Sequence, residues 1–204
     1  MRHRSDEELV AAYVERRDQL AFRTLVERHQ ERIFGYLLGM VRSRDLANDL
    51  FQETFLRVIS ALNKQRGSYT NQGKFLGWVM RIARNATLDH LRSRKKWTDV
   101  QPNTNVDDEA SYWERLPAET PLADELLHHS EQGAWLEDCI GKLPADQREV
   151  LLLRHETDLT FREIAELTNC SINTALGRMR YALLNLRKMM DASKKKSLAE
   201  QVTA

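Results

Sequence analysis

The chain has 204 residues, with 31 Lys or Arg against 30 Asp or Glu, enough for one large or two small domains. No apolar run approaches bilayer-spanning length, and the start, MRHRSDEELV, turns acidic where a signal peptide needs an apolar core, so a cytoplasmic protein without membrane insertion is expected. Its two cysteines, Cys139 and Cys170, lack metal-type spacing and fit a reducing compartment.

Helical periodicity runs through nearly everything, without strand alternation. Ser5 followed by Glu8 has the pattern of a capping box that opens a first helix. Asp18 is placed to cap a second, QLAFRTLVERHQERIFGYLLGMV. After a turn around residues 43–45 comes DLANDLFQETFLRVISAL, where Leu46, Leu50, Thr54, Val58 and Leu62 make one apolar stripe, widened by Phe51, Phe55 and Ile59. Its other side displays Asp45, Asp49, Gln52, Glu53, Leu56 and Arg57. Such a set suits a solvated face or a docking face for another protein's helix, and spacing does not choose between them. The polar stretch NKQRGSYTNQG, with Gly67 and Gly73, predicts a loop. KFLGWVMRIARN then puts Phe75, Val79, Ile82 and Ala86 on a seam, while Trp78, Arg81 and Asn85 project together elsewhere, flanked by Arg84. Alone, this stretch fits a surface helix whose Trp seals a core edge.

Charge is sorted along the chain. Residues 81–96 carry six Lys or Arg against one Asp, residues 97–138 eleven Asp or Glu against Arg115, and residues 176–196 seven Lys or Arg against one Asp. Two basic blocks around an acidic one suggest two polyanion-binding surfaces joined by a tether. Pro102, Pro117 and Pro121 fall in the acidic stretch, where periodicity is lost.

Helical pattern resumes near Gly133, with Pro144 expected at the first position of a helix and Asp146 in its first turn. Thr160 and Glu163 repeat the capping box, and TFREIAELTNCSINTALGRMR has the pattern of a helix-turn-helix. Ala165 is small where two helices cross, and Asn169 suits a left-handed turn residue. Ile164, Leu167, Ile172 and Ala175 are expected inside, leaving Thr174, Gly177, Arg178 and Tyr181 toward a groove or phosphates. A plain helical hairpin has the same periodicity, but the basic residues after the turn favour DNA. The expected fold is all-α: two small helical domains, 1–96 and 133–190, joined by an acidic linker, 97–132, with the helix-turn-helix in the second and a flexible basic tail, 191–204. His128 and His129 lack metal-ligand spacing, and no nucleophile stands beside a base. Neither a cofactor, a metal nor an enzymatic activity is expected.

Together, DLANDLFQETFLRVISAL, FLGWVMRIARNATLDHLR and LPADQREVLLLRHETDLTFREIAELTNCSINTALGRMRYALLNLRK resemble the bacterial sigma factors of RNA polymerase, and most closely the small extracytoplasmic-function group, which keeps two domains. The resemblance spans almost the whole chain apart from linker and tail. It implies core RNA polymerase, through its β′ clamp helices and β subunit, and promoter DNA as partners, and it is compatible with an anti-sigma factor. By this likeness, Asp49, Gln52, Glu53, Leu56 and Arg57 grip the clamp helices. Tyr69, Asn71, Lys74, Trp78, Arg81, Arg84, Asn85 and Arg92 engage the −10 element, with one base flipped from the stack. Arg154, Ser171, Asn173, Thr174, Leu176, Gly177, Arg178 and Tyr181 face the −35 element. Family members often carry Lys or Arg at the position of Leu176 and Arg at that of Tyr181, so bidentate Arg readout is less available here, and phosphate contacts, DNA shape and thymine methyls contribute more. The competing readings are a stand-alone helix-turn-helix regulator and a sigma-like module that binds an anti-sigma factor. The first leaves the Trp–Arg face unused, and the second should have lost the basic residues of 81–96.

Overall fold

The first helix begins where the sequence places a cap. Ser5 Oγ accepts from the Glu8 backbone N–H at 3.2 Å, and Glu8 Oε2 accepts from the Ser5 backbone N–H at 2.9 Å. The structure, a computed structural model, describes residues 4–63, 74–95 and 130–202, and it divides into two units near residue 99. All regular structure among the described residues is helical.

The first unit contains α1 (Asp6–Arg16), α2 (Gln19–Val41), α3 (Arg44–Asn63) and α4 (Phe75–Lys95). Asp18 caps α2 as expected, its Oδ1 accepting from the N–H groups of Leu20 at 3.0 Å and Ala21 at 3.1 Å. α1 and α2 both end on left-handed arginines, Arg17 (φ 55°) and Arg42 (φ 56°), where Gly or Asn is the usual choice. Their backbone N–H groups close the last turns on Tyr13 O (3.0 Å) and Leu38 O (2.7 Å). Leu50, Thr54, Phe55, Val58 and Leu62 bury the α3 stripe, with Leu46, Phe51 and Ile59 half-buried. On α4 the buried arc is wider than the predicted seam. Phe75, Val79 and Ala86 are joined inside by Met80, Ala83 and Thr87, while Ile82 is only half-buried. The cause is that α4 packs against both α2 and α3, so one stripe cannot cover its contacts.

A polar cluster ties these helices together. Asp6 holds His29 Nε2 at 2.7 Å through Oδ2 and Arg28 Nη1 at 2.5 Å through Oδ1. The His29 ring lies 5.7 Å from that of Phe75 at the start of α4. Burial alone would raise the Asp6 carboxyl, but hydrogen bonds and charge from His29 and Arg28 outweigh it and hold the group below the usual range. A depressed folded-state value stabilises above the unfolded pKa and is lost as pH falls through the folded one. The melting temperature of the chain should therefore drop below pH about 4, and Asp6→Asn should flatten that part of the profile. Thermal melts of both proteins from neutral to acid pH test this; parallel profiles would remove the cluster from the acid response.

The second unit contains α5 (Ser130–Lys142), α6 (Ala145–Glu156), α7 (Phe161–Thr168) and α8 (Ile172–Val202). Its core joins Leu136, Cys139, Leu143, Leu151, Ala182 and Leu186. Both cysteines are free, and burial pushes the Cys139 thiol up. Three sequence expectations shift. Pro144 is the cap residue rather than the first helical one, because its ψ of 144° is still extended. Ile172, expected inside, is 40% exposed, since it opens α8 before that helix turns its face to the core at Ala175. And α8 continues through residues 191–202, taken from sequence as a flexible tail; this stretch has neither Gly nor Pro and is rich in Ala and Lys, so nothing in it stops a helix.

Candidate nucleic-acid interface

Three surfaces collect the site residues expected from sequence. On α4, the buried arc leaves Lys74, Arg81, Asn85 and Arg92 exposed, with Trp78 and Arg84 half-buried. Trp78, Arg81, Asn85 and Arg92 fall at helical spacing and share one face. The Trp78 ring lies 6.1 Å from that of Phe75 at an interplanar angle of 43°, so the core fixes one side of it. Helix α4 starts on the Lys74 carbonyl, which accepts from the Trp78 N–H at 3.0 Å. The result is a cationic helix face with an anchored aromatic, chemistry that suits stacked bases and a phosphate backbone. Tyr69 and Asn71 lie outside the described residues.

On α3, Asp49, Gln52, Glu53, Leu56 and Arg57 are all exposed, Leu56 at 68%. Glu53 and Arg57 pair at 2.5 Å, one turn apart. Beside them lies an open, mostly apolar depression of about 310 Å³, lined by Val26, Phe51, Gln52, Phe55, Leu56 and Ile59. Spacing within α3 does not choose between a solvated face, the usual meaning of such a set, and a docking face. Val26, contributed by α2, completes an apolar surface that no single-helix pattern reveals.

In the second unit, Asn169 takes the left-handed conformation (φ 54°, ψ 50°) and the Cys170 N–H reaches Ala165 O at 3.0 Å, closing the predicted turn. Thr160 and Glu163 form the expected capping box of α7. Ser171 caps α8, its Oγ accepting from the Thr174 N–H at 3.0 Å and lying 2.8 Å from Thr174 Oγ1. Ser171, Asn173, Thr174 and Tyr181 are exposed along the start of α8, with Leu176 and Gly177 half-buried. Two arginines are more engaged than sequence suggests. Arg154 donates to Leu159 O at 3.0 Å and lies 5.5 Å from the Phe161 ring centre, bracing the connection between α6 and α7. Arg178 Nε sits 3.2 Å from Asp146 Oδ2 in the first turn of α6. Asp146 stands far from Arg178 in sequence, and its helix-start position already explained it, so nothing pointed to this pairing.

Among the described residues no three metal-binding side chains cluster, and no helix is long and apolar enough to cross a membrane. Residues 25–97 match the family Sigma-70 region 2, and residues 133–184 match Sigma-70, region 4. The chain is 33% identical to the RNA polymerase sigma factor CarQ of Myxococcus xanthus, over 84% of this chain and 90% of that one. It is 26% identical to the extracytoplasmic-function sigma factor SigW of Bacillus subtilis, over 87% and 92% of the two chains. The chain belongs to the extracytoplasmic-function group of sigma-70 factors. Its role is in transcription initiation, and its relatives are sigma factors, which are not enzymes. The fold of the sigma factor is also that of CnrH, solved in complex with the cytosolic domain of CnrY, at a TM-score of 0.63 and 22% identity over 92% of this chain and 97% of that one. In the sigma factor the region 2 match spans most of α2 together with α3 and α4, and the region 4 match runs from α5 into α8.

Proposed function

We propose that the sigma factor docks on core RNA polymerase through the exposed face of α3, holds the melted −10 strand on the exposed face of α4, and reads the −35 duplex with the start of α8. The observation that carries this reading is the pair of chemically distinct faces within one helical unit. Asp49, Glu53 and the exposed Leu56 stand on one helix; Trp78, Arg81, Asn85 and Arg92 stand on the next. An exposed leucine beside an apolar depression supports a docking role for this face, and core polymerase is the partner the family supplies. In this reading the protein is a non-catalytic specificity subunit that works in the cytoplasm. Tyr69 and Asn71 belong with the −10 surface, and the acidic residues of 97–132 tether the two DNA-binding units. CnrH is solved in complex with the cytosolic domain of CnrY, and an anti-sigma factor is a partner of the same kind for this chain in this reading.

Run-off transcription with core polymerase on a promoter library tests the proposal. Promoter-specific transcripts are expected only with both components present. Asp49→Arg should weaken association with core while leaving the fold intact, because the residue is exposed and off the apolar stripe. Tight duplex binding by the free protein, with no effect on core polymerase, would favour a stand-alone regulator instead.

A further inference from the structure

Gly177 stands within α8, where glycine is a costly choice. A helix interior prefers almost any residue to glycine, which fixes more backbone freedom on folding and adds no side-chain contact. Glycine earns such a place when a neighbour presses against the helix or when the backbone takes a left-handed turn. Neither holds here. A Cβ built on Gly177 meets nothing within 4 Å, and its backbone lies inside the helix Ile172–Val202 without a left-handed φ. Inside the folded unit, then, nothing requires this residue to lack a side chain.

The surroundings point outward. Thr174 and Tyr181, a helical turn before and after, are exposed on the same face as Gly177. The next side chain along, Arg178, is drawn aside to Asp146 of α6, at 3.2 Å. Gly177 thus forms the floor of a shallow gap between Thr174 and Tyr181, open to whatever meets α8.

We propose that Gly177 is a specificity-determining residue that acts by lacking a side chain: the gap lets the edge of the −35 duplex approach the backbone of α8 closely enough for Thr174 and Tyr181 to reach base edges. This rests on the reading of the second unit as the −35 reader. Phosphate-driven binding tolerates a slightly raised helix, whereas base contacts are short-ranged and do not. A methyl group at this position therefore separates sequence reading from general DNA attraction.

The test uses the full chain and Gly177→Ala. Its melting temperature should rise by a few degrees, since alanine is the better helix former and the space is open. Transcription by reconstituted holoenzyme from a library randomised across the −35 element should lose about tenfold of the wild-type enrichment for its preferred sequence. Activity on a premelted template without upstream DNA should stay unchanged. Higher stability with undiminished enrichment would overturn the proposal, and so would a lower melting temperature, which would mean the position is not open. If wild-type holoenzyme itself shows no −35 preference in the library, the assignment of the second unit fails, whatever Gly177→Ala does.

Discussion

Leu56→Asp is expected to weaken binding of the sigma factor to core RNA polymerase by about 2 kcal/mol or more, roughly 30-fold, with a fall in melting temperature of only a few degrees from the poorer helix propensity of Asp. The two halves of that expectation come from different facts. Leu56 is 68% exposed in the free protein, so replacing it removes almost no buried apolar area from the fold. In a docked complex the same side chain would be covered together with the depression formed by Val26, Phe51, Phe55 and Ile59. A carboxylate there would have to lose its water against an apolar surface with no partner to compensate it. Glu53→Arg should act more weakly. It reverses one rim charge and releases an exposed Glu53–Arg57 pair that contributes little to stability. Equilibrium binding of labelled protein to core polymerase, with thermal melts alongside, measures both effects. Wild-type affinity for Leu56→Asp would move the docking face away from α3.

What the sequence discloses here follows from the range of the forces involved. The caps at Ser5, Asp18 and Thr160 are bonds spanning three residues or fewer, and each appears in the structure as the spacing predicts. The left-handed turn at Asn169 is equally local. Faces of single helices are almost as legible: Trp78, Arg81 and Asn85 do share one side of α4. What escapes is whatever needs two helices at once. Met80 and Ala83 are buried because α4 meets both α2 and α3, and Val26 joins the α3 depression across a helix pair. Asp6 and His29, 23 residues apart, meet only after α1 folds against α2. The resemblance places Arg154 toward DNA, and it gives no sign that the same exposed guanidinium also braces the start of the helix-turn-helix through Leu159 and Phe161. Family resemblance carries a role between positions, but the hydrogen bonds that hold each side chain belong to this chain's own packing.

On the α4 face, the neutral and the charged residues should part ways in their effect on promoter opening. Asn85 is exposed, carries both a donor and an acceptor on one amide, and sits one turn beyond Arg81. An amide can match the edge of an extruded base, whereas a guanidinium on the backbone meets the same phosphate whatever the sequence. Asn85→Ala is therefore expected to change which base is preferred at one unpaired position of the −10 element, with a loss of about 1–3 kcal/mol in discrimination, roughly 5- to 150-fold. Arg81→Ala should instead lower opening on all four bases alike and reduce the salt dependence of strand binding by about 0.7 in slope, the share of one single-strand phosphate. Both side chains are exposed, so neither change should disturb the core that Phe75, Val79 and Met80 form beneath them. The measurement is transcription from four promoters that differ only at that base, by each variant holoenzyme, at two salt concentrations. If Asn85→Ala keeps the wild-type ranking while Arg81→Ala alters it, the base is read by charge placement rather than by the amide, and the two residues exchange roles.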